Sequence, residues 1–160
     1  MKSRRTARRL ALDVLYEAEI RDVLPSEAFE LRRSEGWVVP APDDQAPPDE
    51  AEGVVAPAEE APDDEALSYA LELVEGVQAH HADIDALIVA YADRWAIQRM
   101  PLVDRNLVRL AIFELMWGDD IPVAVAINEA VEVAKELSTD DSGRFVNGLL
   151  GRIAEAEPQT

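Results

Sequence analysis

Apolar residues recur three and four positions apart along nearly the whole chain, a spacing that gathers them on one face of a helix and on neither face of a strand. Ala7, Leu10, Ala11, Val14, Leu15 and Ala18 form the first such face, which predicts a helix from Ser3 to Val23 ended by Pro25. Ser26 is placed to cap a short second helix reaching Arg33. Leu67, Ala70, Leu71, Val74 and Val77 point inward from a third, and Ile84, Leu87, Ile88 and Tyr91 from a fourth. Pro101 suits the first turn of a fifth helix, where Asp104 complements the positive helix end. Leu107, Leu110, Ala111, Glu114 and Leu115 continue it to Gly118. Pro122 opens a sixth helix ending near Leu137, and Ser142 is placed to cap a seventh from Gly143 to about Ala154. No alternating strand pattern competes and no internal repeat is present, so the predicted class is all-α.

One segment escapes the pattern. Residues 34 to 66 hold Pro40, Pro42, Pro47, Pro48, Pro57 and Pro62 together with eleven acids and no Lys or Arg. Proline at that density fixes backbone torsions and deletes amide donors, so a disordered acidic loop is expected inside a single domain spanning residues 1 to 154, with a short tail at 155 to 160. Trp37, Val38 and Val39 are the exception, apolar enough to dock at the end of the preceding helix. The loop also distorts the charge balance: removing its 11 acids from the net charge of −18 leaves −7 on the rest. The chain starts with the opposite character. Lys2, Arg4, Arg5, Arg8 and Arg9 are basic, and no acid interrupts them before Asp13.

With 160 residues, 48% of them hydrophobic, the chain is long enough for one domain with its own core. The absence of cysteine excludes disulfides, thiolate metal sites and a cysteine nucleophile. No apolar run approaches the roughly 20 residues that span a bilayer, and the basic start leads into an amphipathic pattern rather than a signal-peptide core, so a cytoplasmic protein is expected. Enzyme readings find little support. His80 and His81 are adjacent and cannot both face one metal from a helix, and there is neither a Gly-rich phosphate loop nor a nucleophile elbow. Asp83 with Asp85, or Asp140 with Asp141, would be acid pairs without a supporting constellation, and helix capping explains them more simply. No cofactor is expected.

Three groups of residues carry candidate chemistry. Arg4 with Arg8 and Arg5 with Arg9 are spaced i, i+4, which sets four guanidiniums along adjacent stripes of one helix end. Guanidinium suits phosphate because its planar donors match two oxygens at once, although a solvated tail, or one satisfied by the acidic loop, would look the same. Arg144 and Phe145 pair a cation with an aromatic, the combination that holds phosphate and stacks an unpaired base. Phe145 is equally readable as core, and the nearby Gly148 as a point of close helix approach. Asp141, one turn upstream, would oppose a phosphate. Finally, Asp104, Arg105 and Glu114 share a helix whose wet face would ordinarily account for them.

The run Ile121-Pro122-Val123, then Ala126-Ile127-Asn128-Glu129-Ala130 and Ala134-Lys135, followed by Asp141-Ser142 and Phe145-Val146-Asn147-Gly148, resembles the C-terminal half of the NusB family of small bacterial antitermination factors. The likeness extends through Leu102 to Leu115 and returns at Arg4-Arg5-Thr6-Ala7-Arg8 and Leu15-Tyr16, covering most of the chain outside residues 34 to 66. The resemblance implies two small antiparallel helical bundles packed together. It implies binding of boxA-type single-stranded RNA through Lys2, Arg4, Arg5 and Arg8, with Arg144, Phe145 and Asn147 near the RNA path. It also implies that Asp104, with Arg105 and Glu114, meets NusE, a basic small-subunit ribosomal protein, and that the assembly is tethered to the RNA polymerase elongation complex to support rRNA transcription. Some relatives are dimers, so a homodimer is a further expectation. Relatives of this kind are also found fused to rRNA cytosine methyltransferases, for which this chain has no room. The competing reading is a helical protein–protein scaffold, self-associating and without RNA affinity under its acidic load.

Overall fold

The computed structural model describes residues 2 to 36, 62 to 92, 95 to 118 and 120 to 157. Every regular element among them is helical: α1 (Lys2–Arg21), α2 (Pro25–Glu35), α3 (Asp64–Ala79), α4 (His81–Tyr91), a 3-10 turn (Ile97–Arg99), α5 (Leu102–Trp117), α6 (Val123–Leu137) and α7 (Asp140–Ala156). The apolar periodicity therefore located all seven of these described helices, and the differences lie at their ends. Ser34 and Glu35 belong to α2, while Asp63 caps α3 by accepting from the Ala66 amide at 2.8 Å. The expected loop thus loses both its edges to helix. The rest of it, with Trp37, Val38 and Val39, lies outside the described residues.

Two caps differ from expectation. Ser26 does not cap α2, which starts with Pro25 behind Leu24; the Ser26 amide instead donates to the Gln78 side-chain oxygen of α3 at 2.9 Å. Ser142 does not cap α7 either. Thr139 does, accepting from the Ser142 amide at 3.0 Å, and the freed Ser142 hydroxyl donates to Asp104 at 2.9 Å. At α2 the helix begins one residue before Ser26, at Pro25, and at α7 the local cap is Thr139, three residues before Ser142.

Helices α1, α2 and α3 pack as one bundle, and α4, α5, α6 and α7 as a second, with α5 also lying against α1 and α3. One continuous core runs between them, from Ala11, Val14, Leu73 and Val74 through Ile112 to Leu149 and Ile153. Cutting a fully buried residue such as Ile112 back to Ala should cost about 2–5 kcal/mol. Gly76 makes the seam between the bundles possible, because a Cβ there would fall 2.2 Å from the Phe113 ring. Gly148 does not have the role first read for it. Among the described residues a Cβ added at Gly148 would meet only the tip of Arg152 at 3.7 Å, so none of the described helices approaches closely there.

Candidate nucleic-acid and partner interface

The start of α1 lies against α6, so its cations face an acidic stripe. Arg5 projects into solvent with its side chain 72% exposed and reaches Glu129 at 3.1 Å; Arg9, also partly exposed, pairs with Glu136. Together with Glu132 and Val133 they line a cleft of about 350 Å³. Arg4 takes a different position, its guanidinium lying 5.0 Å from the centre of the Tyr69 ring on α3. The side chain of Lys2 lies outside what the structure describes. The acids that satisfy this end thus include Glu129 and Glu136 of α6, where sequence reading had looked only to the loop.

Arg8, placed on the exposed end of α1 by its spacing from Arg4, turns inward instead. Its Nε and Nη2 donate to the two carboxylate oxygens of Glu114 at 2.7 and 2.9 Å, and the Tyr69 hydroxyl donates to the same carboxylate at 2.6 Å. Both ends of the pair are sealed, with Arg8 8% and Glu114 3% exposed. Burial pulls the Arg8 pKa down, but the Glu114 carboxylate more than offsets this and leaves it raised. Burial, helped by the same carboxylate, raises the Tyr69 pKa and keeps its hydroxyl protonated. Neither Arg8 nor Glu114 is therefore an open surface charge: two hydrogen bonds commit Arg8 to Glu114, and its remaining Nη1 faces Glu129 at 4.0 Å on the wall of the cleft.

On α7, Arg144 is exposed and lies 3.3 Å from the equally exposed Asp141, a pair weak enough in water to yield to a stronger anion. Asn147 is exposed and Phe145 half-buried. Phe145 meets Trp95 edge-on, ring centres 4.5 Å apart and planes at 77°. Trp95 was missed in the sequence because it falls between predicted helices; an isolated tryptophan outside any periodic face was the available signal. No hydrogen bond or ion pair among the described residues joins this group to Arg4 or Arg5.

The acidic start of α5 also corrects an expectation. Asp104 was placed on a wet helix face, yet it is 0% exposed; one oxygen accepts from Ser142 and the other has no partner. The reason is position, since Asp104 lies three residues before the buried Leu107, where α5 meets α7. Arg105 is part-buried, bonded to Glu19 and to the Ile97 carbonyl. Beside it Arg109 grips Asp85 through two bonds of 2.9 and 3.0 Å and also pairs with Glu19, tying α5 to α4 and α1. His80 stacks on Trp117, centres 4.1 Å apart, and no described group of His, Asp and Glu could hold a metal ion. Among the described residues no helix is long and apolar enough to cross a membrane.

The family model described as NusB matches residues 5 to 155, a span running from Arg5 on α1 through the Phe145–Gly148 segment to the end of α7. The chain belongs to the NusB family. It is 46% identical over 155 residues to the transcription antitermination protein NusB of Salinispora arenicola, covering 97% of each chain. Among solved structures it is similar to T. maritima NusB, with a TM-score of 0.72, 32% identity and 96% and 92% of the two chains covered. It is similar also to a chain in the crystal structure of the antitermination factors NusB and NusE in complex with dsRNA, with a TM-score of 0.73, 26% identity and coverage of 98% and 99%. Transcription antitermination is accordingly the function class of this NusB-family chain.

Proposed function

We propose that this chain acts as a non-enzymatic adaptor that binds boxA-type single-stranded RNA together with NusE and links both to elongating RNA polymerase, favouring processive rRNA transcription. The observation that carries the reading is the full-length similarity to a chain of a complex of NusB and NusE with dsRNA, combined with a surface whose exposed guanidiniums are held only by exchangeable partners. Arg5 and Arg144 take phosphates, Arg4 joins them from its place over Tyr69, and Lys2 extends the basic end. Phe145 stacks a base and Asn147 supplies polar contact beside it. Arg8 and Glu114 hold α1 in place under that surface rather than touching the RNA. The α5 start contributes to NusE binding through Arg105 and the surface around it, with the buried Asp104 fixing the backbone there.

A titration of boxA-type RNA at several salt concentrations, with and without NusE, tests this. Contacts from Arg4, Arg5 and Arg144 predict a log–log salt slope of roughly −2, at about −0.7 per phosphate on a single strand. Loss of salt-sensitive binding both alone and with NusE would overturn the reading.

A further inference from the structure

Gly148 sits in the interior of α7, where glycine weakens a helix relative to alanine, and no described residue packs closely enough to require it. Gly76 shows what a packing glycine looks like, with a ring 2.2 Å from where its Cβ would be; at Gly148 the nearest atom is the flexible Arg152 guanidinium at 3.7 Å. The absent side chain leaves a patch of bare helix backbone, a feature suited to close approach by something outside the chain.

The neighbours of that patch share one chemistry. Phe145 lies one turn before Gly148, and Trp95 stands edge-on against it. Arg152, one turn after, donates to the Tyr91 carbonyl at 3.0 and 3.2 Å, pinning the end of α4 to α7 just before the segment that carries Trp95. Both rings are only half-buried, and the exposed Arg144 and Asn147 flank Phe145. We infer that Trp95, Phe145 and the bare backbone at Gly148 form a pocket for an unstacked base of single-stranded RNA. The rings supply the stacking surface, Gly148 lets the nucleotide lie against the helix, and Arg144 meets its phosphate. The inference rests on the RNA-binding reading above and adds Trp95 and Gly148 to it.

Gly148→Ala separates this from a packing role, because the two predict opposite signs. The variant should melt roughly 2–4 °C higher, since alanine suits a helix and meets no clash. Its affinity for single-stranded boxA-type RNA should nevertheless fall by about five-fold or more, the low end for losing one stacked base. Trp95→Leu should lose affinity by roughly 5- to 100-fold while Trp95→Phe keeps most of it, and the salt slope should stay unchanged in all three, because stacking releases no counterions. In a chain carrying W37F and W117F, Trp95 is the only indole. Its emission should be quenched by the single strand, saturating with binding, and left unchanged by a duplex of the same sequence. If the wild type binds RNA but Gly148→Ala binds as tightly, the glycine patch is removed from the site. Emission that the single strand does not move removes Trp95. Absence of salt-sensitive RNA binding by the wild type, with NusE present, removes the RNA-binding reading itself and this pocket with it.

Discussion

Arg5 and Arg8 stand three residues apart on α1, each facing a glutamate about 3 Å away, yet one pair is surface and the other interior. Arg5 holds Glu129 in water, where such a pair contributes about 0–1 kcal/mol and side chains exchange partners freely. Arg8 holds Glu114 out of water with two hydrogen bonds, and removing either partner strands a buried charge. A charge of the first kind is available to a ligand. A charge of the second kind belongs to the fold, and the RNA surface proposed for α1 is accordingly narrower than its run of arginines suggests.

The largest expected effect breaks the buried member. Glu114→Ala leaves the Arg8 guanidinium and the Tyr69 hydroxyl without their acceptor and should cost about 3–5 kcal/mol, read by chemical unfolding. A loss under about 1 kcal/mol would mean that water reaches the pair and that the contrast with Arg5 is false. Asp104→Lys comes next. An ammonium at a fully buried site should destabilise by several kcal/mol, so loss of NusE binding in that variant would report unfolding rather than a lost contact. Asp104→Asn keeps an acceptor for Ser142 and is the variant in which NusE affinity can be read.

Smaller effects sharpen the contrast between the two arginines. Arg5→Gln should change stability by less than about 0.5 kcal/mol while flattening the salt dependence of RNA binding by roughly 0.7. Arg8→Gln should do the reverse, lowering the melting midpoint and leaving the salt slope of the surviving folded fraction unchanged. The smallest effect is expected from deleting residues 40 to 61, which carry seven acids and no Lys or Arg. With Asp63 retained as the α3 cap, the melting midpoint should move by less than about 2 °C, since a segment of this composition has little apolar surface to bury. If its acids compete with phosphate for Arg5, the deletion should also tighten RNA binding at low salt. A large fall in melting midpoint would mean that the segment packs on the bundles.

Much of this was legible from residue order. Helix periodicity is a local property, repeated every few residues, and it placed α1 to α7 within a few positions of where they lie. Burial of the charged residues was half-visible. Glu114 occupies an inward position after Leu110 and Ala111, Asp104 precedes Leu107 by three, and Arg8 precedes the buried Leu12 by four. Those spacings point inward, while the chemistry of the residues argued for the surface. Composition cannot settle that conflict, because a buried charge is tolerated only if an opposite partner arrives from a distant part of the chain, and the Arg8–Glu114 partners are 106 residues apart.

What the residue order alone established is the all-α class, the seven described helices and the likeness to an antitermination family, and it singled out the two places proposed here to meet RNA. These depend on local spacing and on residue types that survive any packing arrangement. Tertiary structure decided which arginines are available, sending Arg8 inward and leaving Arg5 and Arg144 outside, and it turned Ser142 from a cap into a partner for Asp104. It also set Trp95 against Phe145 and left Gly148 open. Each of those outcomes depends on contacts made or left unmade between helices distant in the chain, and the geometry that brings α1, α5 and α7 together decides them.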